Sequence, residues 1–363
     1  MTCWRILEPV PADSLPWAVQ AVSDVQRECE LDTWGFDDLW GPVWVWNSIL
    51  GPSPDTRRRL FVAVPEGLDE PAADDVAGVA VLHLPQTGNH HLGHVDVLVR
   101  PGVRRQGVGS ALATRAEQAL ADEGRTVAIS YVASTPEPPA GPDALEPPTG
   151  TGRIPAHAPS TRLALGHGYR LEQVSRHSVL TVPDDLTQTA AARDAALAVA
   201  GEEYRLHVWH DDVPPQWRAG MADLLSRMLS DIPTGDLSYG DDLWDVARVE
   251  RWLATYTERA MHVTLTVAEH TPTGTLTAFT ELAYPKPEVP FAFQEGTLVR
   301  ADHRGRRLGM AVKAQNLLAV RERRPGLRRI HTDNAQENSF MLAINVALGF
   351  APAGVWAAWQ KKL

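Results

Sequence analysis

The chain has 363 residues, of which 44% are apolar and 22% charged, and a formal net charge of −11. That length favours two domains that each bury a core, the lack of a long apolar run excludes a bilayer-spanning helix, and the acidic balance argues against broad nucleic-acid binding. Cys3 and Cys29 are too few for a disulfide framework or a thiolate metal cluster, and the first residues lack a secretory signal, so a reducing cytoplasm is expected.

In chain order, the first unusual stretch is WGFDDLWGPVWVW at 34–46, with four tryptophans that either line an aromatic pocket or pack a helix over a sheet. His83, His90, His91 and His94 cluster between two apolar runs. They read as a solvated hairpin rather than a ligand set, and no metal is expected. HVDVLV alternates Val95, Val97 and Val99 on one strand face, and it breaks into LVRPGVRRQGVG at 98–109. Beyond that turn Val108, Ala111, Leu112, Ala116, Ala119 and Leu120 keep helical spacing. Strand, Gly/Arg turn and helix together present backbone N–H groups and positive charge to an anion, most often a phosphate.

After a second apolar run, TVAISYV, the segment at 134–158 is so rich in proline and glycine that it predicts a mobile surface loop. LGHGY closes a short helix at 165–169. The pattern then repeats. LVRADHRGRRLG at 298–309 aligns with 98–109 without a gap, matching Arg104 to Arg304 and Gly109 to Gly309 at an offset of 200 residues. LRRIHT and ALGF play the parts of TVAISYV and LGHGY, so the chain reads as a duplicated domain. The predicted organisation is a first domain at 1–184, a linking helix at 185–203 and a second domain at 204–363. RERRPGLRR at 321–329 reads as a helix-terminal basic cluster rather than an RNA site.

Strand, R-x-x-G-x-G turn, helix, strand and a short helix ending in L-G-F resemble the acetyl-coenzyme A binding core of the GCN5-related N-acetyltransferase (GNAT) superfamily. Two copies resemble its tandem actinobacterial members. NHHLGHVDVLVRPGVRRQGVG, SDIPTGDL and TDNAQENSFMLAINVALGF carry that likeness most fully. The resemblance implies an α/β fold of two tandem units, each a mixed, mostly antiparallel sheet flanked by helices and splayed between its fourth and fifth strands. It also implies a cofactor, acetyl-CoA, whose pyrophosphate is held by the two corners. In the first copy those residues are Leu98, Val99, Arg104, Arg105, Gln106, Gly107, Val108, Gly109 and Ser110. In the second they are Leu298, Val299, Arg304, Gly305, Arg306, Arg307, Leu308 and Gly309, with Arg307 where the family pattern has its first glycine.

Transfer to an amine needs a base. Glu295 is the candidate, placed by period-two counting on the face of Val299, and it reads equally well as an exposed strand carboxylate. The matching position in the first copy is Val95, with His94 and Asp96 on the other face. The resemblance puts an oxyanion-binding N–H near Val299, side-chain amides of Asn334 and Asn338 on the pantetheine arm, and Asn345 where many relatives have a tyrosine acid; Ala164 is its counterpart. Asn334 with Glu337 also forms a capping-box pattern, and Asn338 and Asn345 share a helix face. Asp231 and Asp236 are candidate contacts for a cationic amine. The expected activity is acetyl transfer from acetyl-CoA to a primary amine of a small molecule, without nucleic acid or membrane, in the carboxy-terminal copy. The rival expectations are a non-catalytic coenzyme A sensor and a protein N-acetyltransferase.

Overall fold

The computed structural model describes residues 3–9 and 16–363. The chain divides into two compact units: unit 1 comprises residues 1–175, 235–240 and 354–363, and unit 2 comprises 176–234 and 241–353. Among the described residues no helix is long and apolar enough to cross a membrane.

Unit 1 contains β1 (Trp4–Leu7), α1 (Pro16–Trp34), α2 (Val43–Leu50), β2 (Thr56–Pro65), β3 (Gly78–Pro85), β4 (Leu92–Val99), α3 (Val108–Asp122), β5 (Val127–Ser134), the short pair β6 (Ala144–Leu145) and β7 (Ile154–Pro155), α4 (Pro159–Gly166) and the start of β8 (Arg170–Thr181). Its strands follow the order β1-β2-β3-β4-β5. All neighbours are antiparallel except β4 and β5, which are parallel only from Leu92↔Val127 to His94↔Ile129 and then part. The two sheet faces follow from strand alternation. Leu82, Val95 and Ala128 pack with Leu112, Ala116 and Leu120 of α3, while Leu60, Val62, Val79 and Val81 pack under α1 and α2.

Two of the four tryptophans at 34–46 pack on α1, while Trp44 is exposed. Trp46 is buried and bonds Gln26 of α1, and Trp40 bonds Ser23. The Pro/Gly-rich segment is tied down instead of mobile. Ile154 is buried in the α3-side core, and Arg153 donates to the Pro138 carbonyl while facing Glu137.

Unit 2 takes the end of β8 and adds α5 (Thr187–Ala200), β9 (Tyr204–His210), α6 (Arg218–Ser226), the single turn α7 (Met228–Asp231), α8 (Val246–Glu258), β10 (Met261–His270), β11 (Thr275–Pro285), β12 (Phe291–Val299), α9 (Leu308–Arg323), β13 (Arg329–Ala335), α10 (Ser339–Ala347) and the start of β14 (Phe350–Lys362). Its strand order is β8-β13-β12-β11-β10-β9. The segment expected to link the copies is the helix α5, which packs along α9 within unit 2. Unit 2 thus includes the end of the first copy's last strand. The end of the second copy's last strand belongs to unit 1, where β14 pairs with β5 from Val355↔Ser134 to Lys362↔Val127.

Candidate active site

Two features position chemistry in each unit: the turn that opens a helix, and the point where two parallel strands part. The turns in the two units are close copies. Each has two left-handed residues, Arg105 (φ 64°) and Gly107 (φ 88°) in one, Gly305 (φ 80°) and Arg307 (φ 56°) in the other. Each thus puts arginine at one left-handed position and glycine at the other, so Arg307 does not shift the loop. The helices begin at Val108 and Leu308, and the N–H groups of their first turns have no intrahelical carbonyl to meet. That leaves donors for an anion beside a favourable dipole end. An open groove of ≈ 540 Å³ runs beside the first turn of α3, lined by Gly107, Ser110, Ala111, Thr114 and Arg115.

The flanking residues hold these corners together. Arg104 Nε donates to the Val99 carbonyl at 3.2 Å while its Nη1 meets Asp32 at 2.5 Å. Arg304 repeats the arrangement on the Val299 carbonyl at 3.2 Å and the Asp231 carbonyl at 2.9 Å. Gln106 accepts from Trp4, Ser110 Oγ meets His167, and Arg306 folds back on the Asp302 and Arg304 carbonyls. Leu98 and Leu298 lie in or against the helix-covered cores, and Val99 and Val299 pack towards α3 and α9. Gly109 and Gly309 leave room for Leu163 and Ile344, which an added Cβ would meet at 3.2 and 3.0 Å. Asp231 therefore serves the Arg304 corner. Asp236 lies in unit 1, where its carbonyl accepts from Gln360.

In unit 2 the parallel pairing of β12 and β13 ends at Gln294↔Thr332. The next residues are Glu295 and Asp333, one on each parting strand. Opposite them, β11 and β12 slip register between Thr280 and Leu282, so that Glu295 and Gly296 together face Glu281. This bulge corrects the period-two expectation: the extra residue turns Glu295 away from the Val299 side, towards Tyr256 of α8 and Arg259 just beyond its end. Glu281 is 7% exposed and its Oε1 accepts from the Gly296 N–H at 3.0 Å, with Tyr256 donating to Oε2 at 3.3 Å. Burial, then the neighbouring Glu295 charge, pushes the Glu281 carboxyl up to about 8. Glu295 is also raised, first by burial and then by Asp333. Of the two glutamates, Glu295 is the one exposed to solvent. Behind Asp333, His177 of β8 meets its Oδ1 through Nδ1 at 2.7 Å. Four adjacent strands thus present His177, Asp333, Glu295 and Glu281 in a row.

The same stations in unit 1 are occupied differently. Leu82 pairs with Val95 and Val81 with Asp96 without a slip. The counterpart of the Glu295–Gly296 bulge is therefore Asp96 rather than Val95, and it lies on the corresponding face. Asp96 is paired with His83 at 3.2 Å. Tyr131 stands in the place of Asp333, and its hydroxyl meets that of Tyr239 at 2.6 Å while both rings stack on His94. Of the other clustered histidines, His91 meets the Ser238 carbonyl.

The helix cap expected at Asn334 lies at another asparagine. The cap of α10 is Asn338, whose side chain accepts from the Met341 N–H at 3.2 Å, and Asn334 with Glu337 does not supply it. Asn345, 1% exposed, donates to Asn334 at 2.5 Å and leaves its own Oδ1 buried without a partner. Within unit 2, an orphaned buried acceptor and an N–H-bearing corner suit a ligand that carries both an amide and a phosphate. Glu281, Tyr256, Asp333 and His177 were not singled out by sequence reasoning. A lone carboxylate inside the apolar run TAFTELAYP was the available signal for the first.

Residues 20–139 match the family model described as acetyltransferase (GNAT) family. No curated protein matches the chain significantly in sequence. Among solved structures, a tandem GNAT protein from the clavulanic acid biosynthesis pathway, described as without AcCoA, is 23% identical with a TM-score of 0.74, over 99% of this chain and 98% of that one. A GCN5-related N-acetyltransferase from Sphaerobacter thermophilus is 15% identical with a TM-score of 0.62, over 99% and 95%. A glucosamine N-acetyltransferase region of a fungal multi-domain β-N-acetylglucosaminidase is 13% identical with a TM-score of 0.58, over 99% of this chain and 38% of that one.

Proposed function

For a chain with the tandem GNAT fold, whose residues 20–139 match the acetyltransferase (GNAT) family, we propose an acetyl-CoA-dependent N-acetyltransferase that acts on a primary amine of a small molecule, with transfer in unit 2. The observation that carries this reading is the Glu281–Glu295 pair at the parting of β12 and β13. Two carboxyls forced together hold their protons with different strength, which is how one site obtains both an acid and a base. Glu295, next to the opening, takes the proton that the amine nitrogen must lose. Glu281, held up to about 8, keeps its proton at neutral pH.

Bound acetyl-CoA would supply the acetyl thioester. The first-turn N–H groups after Arg307 would hold its pyrophosphate, and Asn345 Oδ1 would accept from an amide of its arm. Unit 1 suits a binding role instead: Asp96 is committed to His83, and Tyr239 covers the parting of β4 and β5. An acidic protein also draws cationic acceptors.

The test is thiol release from acetyl-CoA with a panel of primary amines, including glucosamine, alkyl diamines and a lysine peptide. Release with a small amine, and a loss of about 10²-fold or more in kcat for Glu295→Gln at unchanged acetyl-CoA KM, is expected. Release with none of the amines, or unaltered kcat in the variant, overturns the reading; release with the peptide alone moves it to protein acetylation.

A further inference from the structure

Unit 2 contains a hydrogen-bond chain that the proposed reaction does not by itself require. His177 is fully buried and His331 is 2% exposed; their rings stack at 5.4 Å, and His331 Nδ1 lies 3.3 Å from His177 Nε2. His177 Nδ1 is 2.7 Å from Asp333 Oδ1. A carboxylate can only accept, so His177 donates through Nδ1, which leaves Nε2 as the acceptor for an N–H from His331. The donors all point one way, out of the core and towards Asp333.

Asp333 is not buried with them. Its side chain is 50% exposed, and it follows the last β12–β13 pair on the same sheet face as Glu295. A surface salt bridge needs no such backing, and burying two imidazoles is costly unless their polar atoms are matched. We propose that Asp333 receives the ammonium group of the acceptor beside Glu295, and that His177 and His331 are positioning residues that fix its half-exposed carboxylate.

This rests on the reading of unit 2 as the transfer site and adds the acceptor class, a cationic amine docked before it is deprotonated. The arrangement has a chemical use. The ammonium held at Asp333 loses one proton to Glu295, and the freed nitrogen lone pair is then available for attack. Asp333 raises the basicity of Glu295 as well as placing the amine.

The experiment has two arms. In the first, Asp333→Asn and His177→Leu are expected to raise KM for the amine about 10-fold or more with acetyl-CoA KM unchanged, the size of one hydrogen bond to a charged group. His177→Asn, whose amide can replace the Nδ1 donor, restores it to within about 3-fold. Unchanged amine KM in Asp333→Asn, or equal effects of the two His177 variants, overturns the proposal.

The second arm does not use turnover. In protein labelled with ¹⁵N-histidine, His177 is expected as the Nδ1–H tautomer, with a resonance that moves in Asp333→Asn and on saturation with 1,4-diaminobutane, and stays put with 1,4-butanediol. An Nε2–H tautomer, or indifference to the diamine, overturns the proposal even in an active enzyme. If no amine is turned over while this arm behaves as expected, the transfer reading fails and the docking carboxylate stands.

Discussion

Asp96 and Glu295 hold the same station on the central strands of their units, although their numbers are 199 apart where Arg104 and Arg304 are 200 apart. The missing residue is the bulge. In β12 the extra position lets Gly296 offer its N–H to Glu281, and a Cβ there would lie 2.9 Å from Glu281 Oε1 and push that carboxylate aside. In β4 the regular ladder leaves Asp96 opposite Val81, with His83 as its partner. One inserted residue thus separates a carboxylate pair from a carboxylate–imidazole contact.

That pair gives the pH dependence of turnover. Glu295 must be ionised to act as a base, so kcat/KM is expected to rise through a carboxyl pKa above the usual range. It then falls as Glu281 loses its proton at about 8. Glu281→Gln cannot ionise, so its profile should keep the acid limb and lose the alkaline one. The same variant reports on stability. An acid whose pKa is raised by folding holds more protons in the native state between its unfolded and folded values, so wild-type stability declines from about pH 4.5 to about 8, and the variant loses that slope. An unaltered alkaline limb in Glu281→Gln would remove Glu281 from the acid role.

The loops make a separate claim. Arg307 adopts φ 56° with no glycine-like freedom, which costs roughly 1 kcal/mol. Arg307→Gly should raise the chemical-denaturation midpoint by about that free energy and leave the corner intact. A fall in stability would mean that the Arg307 side chain contributes more than its backbone costs.

The sequence made the corners legible because their chemistry is local: strand alternation, a turn with glycine and a helix all lie within LVRPGVRRQGVG and its repeat. Glu295 was also found, but its face was misjudged, since period-two counting fails across a bulge that only the β11 partner reveals. His177, Asp333 and Glu281 come from three strands distant in sequence, and His177 belongs to the last strand of the first copy although it sits in unit 2. No spacing within either copy could have joined them. Likewise Leu237 and Tyr239, which the predicted boundary at 204 assigns to the second domain, pack in unit 1.

That packing can be measured at His94. Burial, then the nearby His83, lowers its imidazole to about 4, with Asp96 opposing. A base depressed by folding binds fewer protons in the native state, so stability is lost as the pH falls from about 6.5 to about 4. Tyr239→Ala removes one of the two stacked rings and the bond to Tyr131, and should bring the His94 titration, followed by NMR, back towards the ordinary histidine range. A His94 that still titrates near 4 in the variant would show that Tyr239 is not what covers it.

Lys313 is a second buried base, and among the described residues no carboxylate bonds to it. It lies on the buried face of α9 at 2% exposure, with Nζ 5.6 Å from the Phe350 ring centre. The ring face favours the ammonium, but desolvation dominates and lowers the amine to about 7. The unfolded chain therefore holds the proton more tightly, and wild-type stability rises as the pH climbs from about 7 to about 10.5, the ordinary lysine value. Lys313→Met keeps the length and removes the charge. Its Tm should exceed that of the wild type at pH 6, and the gap should narrow as the pH rises towards 10. A variant less stable at pH 6 would mean that the lysine finds a favourable partner there, and that burial does not set its proton affinity.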